Sequence, residues 1–223
     1  MNTKFFTNQE DNTLLQKIEG IFQHKNIHFF DVLAGYFYAS GYFRIRKYID
    51  KAKEIRILVG IDVDKLIKIA AFEGLQFNED KEKAREQFLT LLKKDIQSAE
   101  YNREIEEGII QPVNDLIDNK IKIKIHPNKN IHAKIYIFRE ETKHLHGYGV
   151  VITGSSNLTE AGLEKNFEIN VELRDNEDID FATETFEQLW KEAVDLDLNE
   201  LLEIKKKPIS MMSLHHTKYI LNF

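Results

Sequence analysis

The chain has 223 residues, 42% hydrophobic and 11% aromatic, which is enough for one sizeable core and short for two ordinary domains. It contains no cysteine, which excludes disulfides, a thiol nucleophile and a cysteine-based zinc site, and suits a reducing, cytoplasmic setting. A formal net charge of −6 and the lack of any run of about 18 apolar residues count against an indiscriminate polyanion binder and against a membrane-spanning chain.

From the start, MNTKFFTNQEDN lacks the apolar run of a secretory signal. Leu14, Leu15, Ile18, Ile21 and Phe22 recur at helical spacing and predict a first helix over 12–22, with Asp11 or Asn12 as its cap. The aromatic and β-branched run IHFFDVLAGYFY predicts a buried strand ending near Tyr38, where Tyr36 and Tyr38 read as core packing. Ser40 and Gly41 break it, and a helix follows over 42–52 with Arg44, Arg46 and Lys47 on a solvated face. EIRILVGID predicts the next strand, after which Asp62 and Asp64 suit a helix cap at least as well as a metal pair. Residues 64–117 are mostly helical by pattern, and four more strands are predicted over 121–125, 131–138, 148–153 and 168–173. A helix over 179–194 closes the domain, and a Lys-rich tail follows. These nearly continuous apolar strands point to an α/β fold, a mixed and mainly parallel sheet flanked by helices. One domain is expected over 1–197, with 198–223 as a tail, a linker or the cut end of a longer protein. There is no internal repeat.

The chemistry-bearing segment is IHAKIYIF followed by VVITGSSNLTEAGLEKNFEINVEL. On an extended strand His132 and Lys134 share one face while Ile131, Ala133 and Ile135 take the other. The next strand ends in Gly154-Ser155-Ser156-Asn157, a tight turn whose Ser and Asn side chains can donate to an anion, and 158–162 can start a short helix with free N–H groups. Glu168 then stands where it can accept the second N–H of an imidazole. Taken alone, an HxK triplet is common on half-exposed strands; the three elements together are specific. In NKIKIKIHPNKNIHAK, Lys120, Lys122, Lys124 and His126 alternate with Ile121, Ile123 and Ile125, giving one basic face. Lys122, Lys124 and Lys129, with Ser156, are the candidate nucleic-acid contacts, although an edge strand blunted by lysines would show the same pattern. His144 and His146 read as surface histidines.

His132-Ala-Lys134, Gly154-Ser155-Ser156-Asn157 and Asn166-Phe-Glu168 together resemble the HKD motif of the phospholipase D superfamily, in the order found in its small bacterial endonucleases. The segment AGYFYASGYFRIRKYIDKAKEIRILVGID is also similar to the phospholipase D-like nuclease modules of bacterial helicase and restriction systems, so the resemblance spans residues 28–190. One position departs from the pattern: Arg139 stands where the family usually places an aspartate. The resemblance implies a phosphodiesterase that needs no metal or cofactor. His132 would attack phosphorus to form a phosphohistidine, Lys134, Asn157 and Ser155 would steady its oxygens, and Glu168 would orient the imidazole. Because the chain carries one motif, a second His132 would come from a two-fold partner, which implies a homodimer. The implied partner is nucleic acid, DNA in preference to RNA, with a helicase region possible elsewhere in a longer chain. Phospholipid hydrolysis and a non-catalytic binding or dimerisation module are the alternatives.

Overall fold

In the computed structural model, which describes residues 3–35, 37–60, 111–126, 131–143 and 147–196, the elements run β1 (Phe5–Thr7), α1 (Leu14–His24), β2 (Phe29–Ala34), α2 (Ala39–Ile49), β3 (Glu54–Gly60), β4 (Lys122–His126), β5 (Ile135–Arg139), β6 (Gly149–Gly154), a π-helical turn (Ala161–Lys165), β7 (Ile169–Leu173), α3 (Asn176–Glu192) and β8 (Val194–Asp195). Residues 111–117 are also helical. The strands form one sheet in the order β1-β7-β6-β5-β2-β3-β4-β8. The expected mixed sheet with flanking helices is present, but its balance differs from expectation: among the described residues only β2–β3 and β3–β4 are parallel. The five other pairings are antiparallel. Parallel neighbours need a crossover of a dozen or more residues, and the link between the neighbours β5 and β6 is shorter than that, so the chain turns back there.

Alternation along the central strands builds two cores. Phe30, Val32, Ile57, Phe138 and Ile152 face Leu14, Ile18 and Phe22 of α1 and Ile45 and Ile49 of α2. On the other side Leu33, Leu58, Ile137 and Val151 face Ile179, Ala182 and Phe186 of α3. With both faces covered, every residue of β2 after Phe29 is buried. Helix α1 starts two residues later than expected. Thr13 is its cap, with Thr13 Oγ1 accepting from the Gln16 N–H at 3.2 Å and Gln16 Oε1 accepting from the Thr13 N–H at 2.8 Å. Strands β1 and β8 are too short to leave a pattern in the sequence.

A buried charge layer lies beneath α3. Asp31 is fully buried and accepts from Arg56 Nε (2.6 Å) and Nη2 (2.9 Å) and from Arg139 Nη2 (2.7 Å). Arg56 also reaches Glu187 of α3 at 2.6 Å and stacks over Phe186 and Trp190. One carboxylate thus ties together β2, β3 and β5, and one guanidinium carries the link to α3.

Two surface expectations are corrected. Arg46 does not lie on a solvated face: its Nε donates to the buried Asp115 at 2.7 Å, and Tyr42 donates to the same oxygen at 2.8 Å. Burial alone would raise the Asp115 carboxyl, but the hydrogen bonds from Arg46, Tyr42 and Gln111 outweigh it and hold the group below the usual carboxylate range. Nor is the lysine stripe of β4 an open cationic face. Lys122 pairs with Glu54 at 2.6 Å, and Lys124 pairs with Asp195 at 3.4 Å while lying over the Trp190 ring. Strand β8 and helix α3 cover what the alternation alone leaves bare. Tyr36, Asp62, Asp64, Lys129, His144, His146 and the tail lie outside the described residues. Among the described residues no helix is long and apolar enough to cross a membrane.

Removing the charge at Asp31 leaves two guanidiniums without their shared partner. Asp31→Asn is expected to cost about 3–5 kcal/mol, read as a lower urea midpoint at unchanged slope. Lys122→Met, which breaks an exposed pair, should change stability by no more than about 1 kcal/mol.

Candidate active site

Where β2 and β3 end, the chain carries glycines, and the segment 131–134 passes over them. A Cβ on Gly60 would lie 2.5 Å from the Ile131 carbonyl oxygen, closer than real Cβ atoms come to backbone. A Cβ on Gly35 would lie 3.0 Å from that same oxygen, 3.5 Å from Asn157 Oδ1 and 3.6 Å from His132 Cα. Bare strand ends therefore allow the crossing, and they bring His132 and Asn157 to one spot. Strand β5 begins only at Ile135, so His132 and Lys134 lie in its extended lead-in rather than in the strand as the alternation predicts. What positions them is the end of β6: the Lys134 carbonyl accepts from the Gly154 N–H (3.4 Å) and from Thr153 Oγ1 (3.0 Å). The Lys134 ammonium donates to the His132 carbonyl at 2.5 Å, which keeps the cation beside the exposed imidazole.

The turn after β6 splits its two serines. Ser155 is exposed and sits between β6 and β7, with its N–H on the Ile169 carbonyl (3.1 Å) and its Oγ accepting from the Ile169 N–H (3.1 Å). Its hydroxyl donates to the Glu168 carboxylate. Glu168 also accepts from Asn166 Nδ2 at 3.4 Å. The expected Glu168–imidazole bond is thus replaced by a Glu168–Ser155 bond, because Ser155 lies directly across the strand gap. Ser156 points the other way and is fully buried. It leaves the set of phosphate contacts: its hydroxyl accepts from Asn170 Nδ2 at 2.9 Å, and its carbonyl accepts from the Tyr136 hydroxyl at 3.0 Å. Burial pushes the Tyr136 phenol well up, so that hydroxyl stays protonated and donating.

Asn157 is backed by the π-helical turn. A Cβ on Gly162 would lie 2.5 Å from the Asn157 carbonyl oxygen and 2.9 Å from its nitrogen. Buried Asn8 holds this turn to α1 by donating to the Gly162 carbonyl at 2.6 Å while its Oδ1 accepts from the Leu14 N–H at 2.8 Å. Arg44, expected to be solvated, links α2 to the turn through Glu164 (2.7 Å) and Glu160 (3.4 Å). Tyr38, expected in the core, is half exposed, and its N–H donates to the Leu158 carbonyl at 3.1 Å.

His132, Lys134, Asn157, Ser155 and Glu168 thus gather at one end of the sheet, where β2, β3 and β6 finish. Lys122 and Lys124 do not join them. Lys122 sits at the far end of β4 from His126, the residue opposite Gly60, and four strand residues span roughly 13 Å. Sequence reasoning missed Asn8, Gly35, Gly60 and Asn170. Only Asn170 left a signal, a polar residue at an inward position of a strand. The collected groups can present an imidazole to a phosphorus atom, with an ammonium and an amide around its oxygens.

A family model described as "Cardiolipin synthase, PLD-like domain" matches residues 45–190, and the chain belongs to this phospholipase D-like family. Membership implies phosphodiesterase-type chemistry. A search of curated proteins finds no match. Among solved structures, the phospholipase D family member Nuc from Salmonella typhimurium is 17% identical, with 86% of this chain and 95% of that chain covered and a TM-score of 0.49. NucT from Helicobacter pylori is 15% identical over 82% of this chain and 88% of that chain, with a TM-score of 0.40. Phosphatidylserine synthase from Haemophilus influenzae Rd KW20 is 12% identical over 96% of this chain and 44% of that chain, with a TM-score of 0.51. Of these three, only the synthase exceeds a TM-score of 0.5, and at 12% identity it speaks for the fold alone.

The inward serine supplies a test of how the turn is held. Asn170→Ala strands the Ser156 hydroxyl and should lower the unfolding free energy by about 1–3 kcal/mol in thermal or urea melts. Removing both partners with Ser156→Ala and Asn170→Leu should cost less than the single change.

Proposed function

We propose that this protein is a metal-independent nuclease that cleaves DNA or RNA phosphodiesters through a phosphohistidine in a site shared by two copies of the chain. The observation that carries this reading is the gathering of His132, Lys134 and Asn157 at the strand ends, with His132 Cα and Asn157 Oδ1 both within 3.6 Å of one point above Gly35.

The chemistry follows from these groups. An imidazole nitrogen of His132 attacks phosphorus, an N–P bond forms, and the P–O bond to the leaving group breaks. The leaving oxygen takes a proton from a second imidazole. That imidazole then removes a proton from water as the water oxygen attacks phosphorus and the N–P bond breaks. Lys134 and Asn157 steady the non-bridging oxygens as charge builds on them; the Ser155 hydroxyl, whose one proton goes to Glu168, joins them only by exchanging that carboxylate for a phosphate oxygen. Because each chain carries one HxK triplet that is followed by GSxN and NxE, the second imidazole is supplied by His132 of a two-fold related copy, which makes the dimer part of the catalyst.

Cleavage of a plasmid and of an RNA transcript in excess EDTA tests this. Activity should persist. His132→Ala should lower the rate roughly 10³-fold or more, and Lys134→Ala or Asn157→Ala about 10²–10³-fold. Loss of cleavage in EDTA, or full cleavage by His132→Ala, would overturn the assignment. The family description names a phospholipid synthase, so cardiolipin vesicles form the control arm, and turnover there without nuclease activity would replace nucleic acid with lipid. Retained DNA binding without cutting by the wild type would reduce the domain to a binding module.

A further inference from the structure

Most aromatic side chains among the described residues are buried, yet two rings flank the site. Phe167 is 65% exposed and immediately precedes Glu168; Tyr38 is 39% exposed at the start of α2, bonded to the Leu158 carbonyl next to Asn157. The apolar surface continues from Phe167 away from the site. Ile169 (52% exposed) and Val171 share one face of β7, and Phe5 (64% exposed) stands opposite Val171 on β1. Residues two apart on a strand are spaced by roughly 6.5–7 Å, so the strip presents apolar contacts at regular steps leading to the reacting groups.

The charges argue in the same direction. The chain carries a net −6, and Lys122 and Lys124 are held by Glu54 and Asp195. At the far end of the strip Lys4 pairs with Asp175. Phosphate neutralisation alone is therefore a weak source of affinity, and the exposed groups beside the site are faces suited to stacking. Stacking needs base faces that a duplex keeps covered. From this we infer that the substrate is a single strand or an unpaired stretch of nucleic acid, with bases on one side of the scissile phosphate laid on Phe167 and the Ile169–Phe5 strip, and the base on the other side meeting Tyr38. Every base has an aromatic face, so such a track binds without reading sequence.

This inference rests on the nuclease reading and specifies its substrate. Its test reads binding rather than turnover, so its failure would leave the EDTA result standing. The full chain carrying His132→Ala is titrated with a single-stranded oligonucleotide containing 2-aminopurine, and with its duplex. The single strand should bind with quenched fluorescence and at least about tenfold more tightly than the duplex. Adding Phe167→Ala should weaken single-strand binding about tenfold and relieve the quench, whereas Phe167→Tyr, which keeps the ring, should retain both. Equal binding of single strand and duplex would overturn the inference. So would a Phe167→Ala variant that changes the sedimentation of the protein while single-strand affinity stays intact, since the strip would then be a contact between protein chains.

Discussion

The candidate site depends on one backbone crossing. Segment 131–132 passes so close to the ends of β2 and β3 that the Ile131 carbonyl oxygen would meet a side chain at either Gly35 or Gly60. Because neither position has a Cβ, the segment settles onto the strand ends, and the next residue is the imidazole. Asn157 arrives at the same point from the opposite direction, supported from behind by Gly162. His132 and Asn157 stand 25 residues apart in the chain, and close approach of bare backbone is what makes them neighbours.

Beneath that crossing the sheet is held by charge as well as by apolar packing. Asp31 with Arg56 and Arg139 joins three adjacent strands, and Glu187 extends the network to α3. Arg139 occupies the position where related motifs usually carry an aspartate, and the carboxylate it meets comes from the neighbouring strand. Both charges needed for a buried pair are present, with the acid on β2 and the base on β5. Such a pair is weak evidence for net stability, since desolvation opposes the attraction, but once formed it resists loss of either partner. It lies at the opposite end of β5 from Lys134, so it acts on strand placement and touches no reacting atom.

Polar residues of one type take opposite roles here according to which way the backbone turns them. Ser155 faces solvent and meets Glu168, whereas Ser156 faces the core and is held by Asn170. Lys134 stays with the site, whereas Lys122 and Lys124 are taken by acids from β3 and β8. The working surface is therefore narrower and less cationic than the local sequence suggests, and exposed rings occupy part of its margin.

Sequence alone determined the class of fold and the candidate site residues, because both rest on local facts. Two-sided apolar runs such as 135–138 must be covered on both faces, and HxK, GSxN and NxE carry their meaning in residue type and short spacing. It also exposed the odd arginine at 139. Tertiary structure alone decided strand direction, the inward turn of Ser156, the partner of Glu168, the neutralisation of the β4 lysines and the exposure of Tyr38. Each of these depends on a residue far away in the chain, such as Asp31, Asn170 or Asp195, and pairing across such distances follows from how the strands assemble rather than from any pattern along them.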